Sequence, residues 1–311
     1  MNRSLRRIGM AVPPIRRLVE DRDRYRLESQ VRDAQYGRWP PGHFYSPLPD
    51  LADVRARESE IFFDRTSVPA IDLRVEEQLR LISEIAPYSN PIQFPTERGT
   101  RFRFNYENGF FDYGDAALLT GMLGRFASKR VVEVGSGFSS ALMLDYSEHC
   151  REGAMDLTFI EPYPDSMLRG LLRAEDAERC RVIEAPVQTV PLEVFAQLEA
   201  NDLLFIDSSH VSRIGSDVNY LFFEVLPMLA VGVIVHIHDI FYPFEYIPEW
   251  VYEGRAWNEA YLLRAFLTFN DSYEIRLFSS YLYNHHRATV AAAMPLWPRN
   301  AGAGIYLQRT R

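Results

Sequence analysis

The chain has 311 residues, 47% hydrophobic and 24% charged, which is typical of a globular protein with one large domain and an appendage or with two small domains. It contains no run of about 20 apolar residues, which argues against a membrane-spanning protein, and its net charge of −8 disfavours nucleic acid as a partner. Two cysteines, Cys150 and Cys180, are too few for a disulfide framework and favour a cytoplasmic location.

The N-terminal part is organised differently from the rest. Residues 1–38 contain ten arginines and five acidic residues, so we predict a basic arm over 1–40 with a charged helix over 16–36. A solvated helix and a contact with a second subunit both remain open for this arm. Residues 41–112 are expected to form a helical and loop extension, in which apolar residues at helical spacing predict an amphipathic helix over 72–86.

From residue 113 onward the pattern predicts a single large domain ending at 311. A helix is expected to begin with Asp115 as its N-cap and to run to about residue 125. Short apolar runs then alternate with helical patterns, which is typical of a parallel sheet covered on both faces. The predicted fold class is α/β, a Rossmann-like doubly wound sheet whose seven strands are expected over 130–135, 157–162, 181–185, 202–210, 231–239, 273–278 and 304–309. The intervening helices are expected over 139–150, 166–174, 192–198, 218–226 and 257–269.

A glycine-containing turn follows the first predicted strand. Gly135 and Gly137 would let the backbone approach a ligand closely at the start of a helix. A dinucleotide fingerprint would require glycine where the chain has Ser140, and Glu133 before the turn would repel a phosphate but suit a cationic ligand. Glu161, at the end of the second strand, is placed to accept hydrogen bonds from ribose hydroxyls. These features together predict a nucleoside site without a phosphate requirement.

Carboxylates and histidines follow the fourth and fifth predicted strands. Asp207 and His210 end one strand, and His236, His238 and Asp239 end the other. Because the carboxyl ends of adjacent parallel strands lie close together, these side chains are expected to converge on one site. His236 and His238 are expected on the same face of the sheet because their positions differ by two.

The motifs VVEVGSGFSS, FIEPYP, LLFIDSSH and VHIHDIF, in this order, resemble the class I S-adenosylmethionine-dependent methyltransferases, and in particular methyltransferase family 24. The resemblance covers about residues 100–311 and implies a mostly parallel sheet that ends in a reversed hairpin. It also implies S-adenosylmethionine as the cofactor. The residues implied to bind it are Glu133, Gly135, Ser136, Gly137, Glu161, Pro162, Ala185 and Asp207.

Two chemical interpretations of the strand-end cluster remain open. In the first, Asp207, His238 and Asp239 bind magnesium or manganese, and His210 is the general base. The resemblance supports this, although metal-dependent O-methyltransferases have two acidic or amide ligands where this chain has His238-Asp239. In the second, no metal takes part and His210 or His238 is the base.

The predicted function is methyl transfer from S-adenosylmethionine to an oxygen of a small molecule, such as a sugar or a hydroxylated secondary metabolite. A metal-independent N- or C-methyltransferase and a non-catalytic nucleoside-binding scaffold are the alternatives. Ser140 disfavours a nicotinamide-dependent oxidoreductase. The aromatic segment 240–250 is expected to form either a wall of the acceptor pocket or part of the core.

Overall fold

The computed structural model describes residues 38–311, so the helix predicted over 16–36 and nearly all of the predicted arm lie outside the described residues. The chain divides into two compact units, Met1–Phe62 and Phe63–Arg311. The described part of the first unit contains two short helices, α1 (Leu51–Ala56) and α2 (Glu58–Ile61). The Asp50 carboxylate accepts a hydrogen bond from the backbone N–H of Ala52 and thereby caps α1.

Two helices precede the sheet in the second unit. The amphipathic helix predicted over 72–86 is confirmed as α3 (Val75–Ile85), which is followed by a 3₁₀ turn at Ala86–Tyr88. The next helix, α4 (Tyr113–Phe126), begins two residues before the predicted N-cap, so the assignment of Asp115 as the cap is wrong. Asp115 instead lies in the first turn, where its Oδ1 accepts a hydrogen bond from the backbone N–H of Ala303 at 2.9 Å.

The central element is a seven-stranded sheet in the order β3-β2-β1-β4-β5-β7-β6. Strands β1 to β5 are parallel, whereas β7 runs antiparallel to both β5 and β6. The predicted doubly wound sheet with a reversed C-terminal hairpin is therefore confirmed. The strands are β1 (Arg130–Val134), β2 (Asp156–Ile160), β3 (Cys180–Ile183), β4 (Leu203–Ile206), β5 (Ile234–His238), β6 (Tyr273–Phe278) and β7 (Gly304–Arg309).

Helices cover both faces of this sheet and connect its strands. Between β1 and β5 lie α5 (Phe138–Cys150), α6 (Leu168–Leu171), α7 (Glu193–Ala196), α8 (Asp217–Tyr220) and α9 (Leu226–Met228), with a π-helical turn at Leu221–Val225 and 3₁₀ turns at Pro164–Ser166, Ala174–Glu178 and Val187–Thr189. After β5 follow α10 (Pro248–Tyr252), α11 (Glu259–Thr268), α12 (Ser279–Ala293) and a 3₁₀ turn at Trp297–Arg299. The helix predicted over 166–174 is shorter. Its first residue belongs to the 3₁₀ turn that begins at Pro164, and the α-helix that follows is a single turn containing Gly170, a poor helix former. The insertion between β6 and β7 contains α12, which has a non-helical residue at His286.

A buried group of charges joins the loop before α4 to the helical layer. The Arg103 side chain is 1% exposed and pairs with Asp145 on α5 at 2.7 Å and with Asp176. Its Nη1 also donates to Glu148 at 2.9 Å. This guanidinium therefore links three carboxylates that come from two different connections of the sheet.

The sheet topology determines where a ligand can bind. Strand β1 lies between β2 and β4. The strand order therefore runs outward from β1 to β2 and β3 on one side and to β4 and β5 on the other, which leaves a crevice at the carboxyl ends of the strands. Between residues 38 and 311, no helix combines the length and apolar content that crossing a lipid bilayer requires.

Candidate functional site

The turn after β1 is shaped by the backbone of β4. Gly135 has a φ of +81°, and a Cβ atom at this position would lie 1.7 Å from the carbonyl oxygen of Asp207. The backbone N–H of Asp207 also donates to the carbonyl of Val134 at 2.8 Å. Only glycine fits here, because the end of β4 passes directly over the turn.

Glu133 lies beneath this turn rather than in an open cavity. Its carboxyl group is fully buried and accepts hydrogen bonds from the hydroxyls of Ser139, at 2.5 Å, and Ser140. Burial raises the pKa of Glu133 to about 8, although the serine hydroxyls act in the opposite direction. Any influence of Glu133 on a bound ligand is therefore transmitted through these two serines.

The raised pKa of Glu133 gives a prediction for stability. In the folded protein Glu133 keeps a proton that the unfolded chain releases near pH 4.5. Relative to an ionised Glu133, this protonated form contributes its full stability below pH 4.5, and the contribution is lost as the pH rises through about 8. Between pH 5 and pH 9, we expect the free energy of unfolding of the wild type to fall relative to that of Glu133→Gln by on the order of a few kcal/mol. Urea unfolding at several pH values would measure this. Glu178→Gln, an exposed site, is the control, and parallel pH profiles of wild type and Glu133→Gln would contradict the prediction.

Two adjoining cavities open at the carboxyl ends of β1, β2 and β4. The larger has a volume of about 540 Å³ and the smaller about 210 Å³, and Gly135, Glu161 and Asp207 line both. Glu161 is held in place because its Oε2 accepts from the backbone N–H of Ser136 at 3.1 Å and its Oε1 from that of Tyr163 at 2.8 Å. The structure therefore brings the predicted glycine turn and the predicted ribose carboxylate to one crevice.

The other residues predicted to bind the cofactor are distributed between these cavities, with one exception. Pro162 lines the larger cavity, and Ser136 and Gly137 line the smaller one. Of the described residues, the larger cavity is lined by Pro186, Val187 and Gln188 but not by Ala185. Gln188, to which the sequence analysis assigned no role, donates from Nε2 to the carbonyl of Gly215 at 2.8 Å.

His210 lies at the centre of a group of carboxylates. Its Nε2 is 3.3 Å from Asp207 Oδ1 and 3.6 Å from Asp239 Oδ2, and its Nδ1 is 2.9 Å from Glu259 Oε2. Burial alone would lower the pKa of this imidazole, but the hydrogen bonds and charges of Asp207 and Glu259 outweigh it and raise the pKa to about 10. His210 is therefore an imidazolium at neutral pH in this arrangement, and a general-base role requires that its proton leave first.

Glu259 is a member of this site that the sequence analysis missed. It is fully buried in the first turn of α11, 49 residues after His210. The backbone N–H groups of Asn258 and Glu259 both donate to the carbonyl of His210, which itself has a left-handed φ of +58°. No local motif marks this carboxylate, since it reaches His210 only through the packing of α11 near the end of β4.

The structure groups the potential metal ligands differently from the sequence prediction. One ligand atom from each of Asp207, His210 and Asp239 lies within 4.8 Å of the others, so these three side chains could hold a metal ion. His238, predicted as the third ligand, instead points its Nε2 at Asp239 Oδ1 from 3.7 Å and its Nδ1 at His236. His210 fits the ligand role better because its other nitrogen is bonded to a carboxylate, as in many metal-binding histidines.

Comparisons with known proteins identify the family. The model of methyltransferase family 24, described as a methyltransferase domain, matches residues 132–240. An uncharacterized protein of Archaeoglobus fulgidus is 38% identical over 175 residues, which is 54% of this chain and 78% of the relative. The chain belongs to the class I S-adenosylmethionine-dependent methyltransferases. The family predicted from the sequence motifs is thus confirmed.

Solved structures show more distant similarities to this methyltransferase. The SAH-bound methyltransferase PaMTH1 of Podospora anserina is 14% identical with a TM-score of 0.40, and the match covers 84% of this chain and 95% of that one. Coclaurine N-methyltransferase, bound to N-methylheliamine and SAH, is 13% identical with a TM-score of 0.36, over 83% and 91% of the two chains. At these scores neither match identifies an acceptor.

An aromatic surface adjoins the His210 cluster of the methyltransferase. The Trp257 ring centroid is 4.4 Å from that of His210, Trp250 packs edge-on at 5.2 Å from Trp257, and Phe241 lies 5.2 Å from Trp250. The Arg255 guanidinium carbon lies 4.3 Å from the Trp250 ring centroid. These side chains are partly exposed, so the segment 240–250, with Trp257, presents aromatic rings at the surface rather than being wholly part of the core.

Proposed function

We propose that the protein transfers the methyl group of S-adenosylmethionine to an oxygen of a small molecule. The observation that carries this proposal is that two adjoining cavities share Asp207, which also contacts the His210 cluster. The larger cavity would take the adenosine, with Glu161 at the ribose hydroxyls, and the smaller one the methionine portion. The sulfonium methyl would then lie near Asp207, at the edge of the cluster.

The reaction is an in-line displacement, in which the acceptor oxygen forms a bond to the methyl carbon as the carbon–sulfur bond breaks. The main tasks of the protein are to align the two molecules, to exclude water and to take up the proton of the acceptor hydroxyl. Asp239 is suited to take up this proton. Its carboxylate is partly exposed, and burial raises its pKa, which makes it a better proton acceptor than a fully solvated carboxylate.

A divalent cation fits the same group of residues. Asp207, His210 and Asp239 supply two carboxylates and an imidazole within 4.8 Å, and Glu259 orients the imidazole through Nδ1. When bound, magnesium or manganese would lower the pKa of an acceptor hydroxyl. The two carboxylates would hold that cation, and His210 would have to give up its Nε2 proton to become a ligand.

The acceptor would approach along the aromatic surface formed by Phe241, Trp250 and Trp257. Aromatic rings of this kind bind the flat or apolar faces of sugars and of hydroxylated ring compounds, while leaving polar groups free to meet the cluster. This supports a ring-containing, hydroxylated acceptor. A metal-independent mechanism remains the second candidate, because the His210 imidazolium already balances part of the charge of its three carboxylates.

Calorimetric titration with S-adenosylmethionine, first in EDTA and then with added magnesium or manganese, tests this proposal. We expect micromolar binding in both conditions, because the two cavities are formed without the cation, and a separate heat for the metal. Glu161→Ala, which removes a side chain from both cavities, should weaken cofactor binding at least tenfold, while Glu178→Ala, an exposed change, should not. If the wild type shows no heat in either condition, the proposed methyl transfer from S-adenosylmethionine is wrong; if it binds cofactor but no metal, the metal-independent mechanism is supported.

A further inference from the structure

The His236 ring is enclosed on three sides beneath the proposed site. Its side chain on β5 is 3% exposed, and its ring centroid is 4.3 Å from those of both Phe205 and Tyr306. Strand β7 passes so close that a Cβ atom at Gly304 would lie 2.5 Å from Cε1 of His236. The ring therefore has little room to change its orientation.

Within the part of the chain that the structure describes, this enclosed ring has one polar contact. Its Nε2 is 3.2 Å from Nδ1 of His238, whereas its Nδ1 is buried and has no hydrogen-bond partner among residues 38–311. Burial and the neighbouring His238 lower the pKa of His236 well below its ordinary value, so the ring is neutral and carries one proton. His238 in turn lies between His236 on one nitrogen and Asp239 on the other.

These contacts restrict the proton positions on His238. If His236 donates from Nε2, His238 accepts at Nδ1 and must carry its own proton on Nε2. If His238 is an imidazolium, it carries protons on both nitrogens and donates to His236 from Nδ1, and the proton of His236 then lies on its buried Nδ1, which has no acceptor among residues 38–311. A neutral His238 protonated only on Nδ1 would leave the same Nδ1–H of His236 without an acceptor and would in addition direct a lone pair at the Asp239 carboxylate, so it is the least favourable of the three arrangements.

We propose that His236 is a positioning residue whose contact with Nδ1 of His238 keeps a proton on Nε2 of His238, directed at Asp239. The other two arrangements share this proton, so it is present whether His238 is neutral or charged. A nitrogen that carries a proton cannot bind a metal or accept a proton. On the basis of the function proposed above, this leaves His210 as the imidazole ligand of the cluster, while Nε2 of His238, 3.7 Å from Asp239 Oδ1, presents a proton to that carboxylate without being a ligand.

Nitrogen NMR of histidine-labelled protein in EDTA at pH 7.5 tests the proton position directly, because protonated and unprotonated ring nitrogens have well-separated shifts. The chain has seven histidines, and the His238 signals can be assigned from a His238→Gln sample. We expect a protonated Nε2 on His238 in the wild type. An unprotonated Nε2 in that spectrum would overturn the proposal, and this measurement requires no change at His236.

Variants of His236 test whether this residue is the cause. His236→Phe keeps a flat ring but removes the contact, so a detectable fraction of His238 should shift to the form protonated only on Nδ1. His236→Gln, which offers an amide to Nδ1 of His238, should restore the wild-type signal, and His149→Gln, at an exposed position, should change no other histidine. A fully protonated Nε2 in His236→Phe would show that His236 is not required.

The binding of manganese, followed by electron paramagnetic resonance, gives a second measurement. We expect His236→Phe to lose severalfold in affinity, with recovery in His236→Gln, because outer partners orient metal ligands. Titration of the same samples with S-adenosylhomocysteine tests the proposed methyltransferase function separately from the role of His236. Absence of cofactor or manganese binding in the wild type would contradict the proposed function or its metal, whereas the proton on His238 would still be decided by NMR.

Discussion

Replacing Arg103 with methionine is expected to lower the free energy of unfolding by about 3–5 kcal/mol, because the change leaves buried carboxylates without their cation. Asp145 and Asp176 are 0% and 1% exposed, and each receives hydrogen bonds from the guanidinium. Asp145 Oδ2 also accepts the backbone N–H groups of Arg103 and Phe104, so the loop before α4 depends on the same carboxylate. Urea unfolding followed by circular dichroism would measure the loss.

A matched control for Arg103 is available on the surface. Arg125 pairs with Glu84 at 2.7 Å, but the side chains are 43% and 35% exposed. Arg125→Met should therefore change the free energy of unfolding by about 1 kcal/mol or less. Equal losses in the two variants would contradict the view that burial, rather than ion pairing as such, determines the importance of Arg103.

Replacing His210 should lower methyl transfer about 100-fold while leaving cofactor affinity within about twofold, because the cluster would lose the imidazole that binds the cation or, without a metal, balances its carboxylates. Of the described residues, those that line the two cavities include Asp207 but not His210, so the effect should fall on the chemical step. His210→Asn is a better variant than His210→Ala, because asparagine tolerates the left-handed backbone at this position and offers a polar group to Glu259. Release of S-adenosylhomocysteine over a panel of hydroxylated ring compounds would measure turnover.

Asp207→Ala provides the contrast to the His210 variants. Because Asp207 lines both cavities and belongs to the possible metal group, its loss should weaken cofactor binding and abolish any response to magnesium or manganese. Binding of S-adenosylhomocysteine by the His210 variants serves as the control for folding. Unchanged turnover in His210→Asn and His210→Ala would exclude a catalytic or metal-binding role for this histidine, and a retained metal response in Asp207→Ala would exclude Asp207 as a ligand.

Most of the fold could be predicted because its strands coincide with short apolar runs in the sequence. β6 and β7 occur at the predicted residues, and the parallel strands differ from prediction mainly where their polar ends extend beyond the ladder, as at β4 (Leu203–Ile206) against 202–210. Local patterns failed where a contact decides the boundary. Asp115 looked like a cap because an acid precedes a helical pattern, but its carboxylate is taken by the backbone of Ala303, 188 residues away.

The site was predictable in its parts but not in its connections. Strand ends correctly placed Asp207, His210 and Asp239 together, since adjacent parallel strands end at one edge. The choice between His210 and His238 in the ligand group depends on side-chain direction, which the alternation of a strand does not specify at its end. Glu259 was inaccessible to sequence reasoning because its approach to His210 depends on the packing of a separate helix.

The position of β7 between β5 and β6 has a consequence for the order of assembly during synthesis. Strand β6 is made before β7 but pairs within the sheet through β7, so it cannot join the sheet until residues 304–309 have been added. Until then, the outer edge of β5 is unpaired, and the backbone N–H of Asp239 lacks the carbonyl of Ala303 to which it donates at 2.8 Å. A nascent chain in which β1 to β5 have already paired therefore still has an open strand edge next to Asp239, and an unpaired edge of this kind can pair wrongly with other chains.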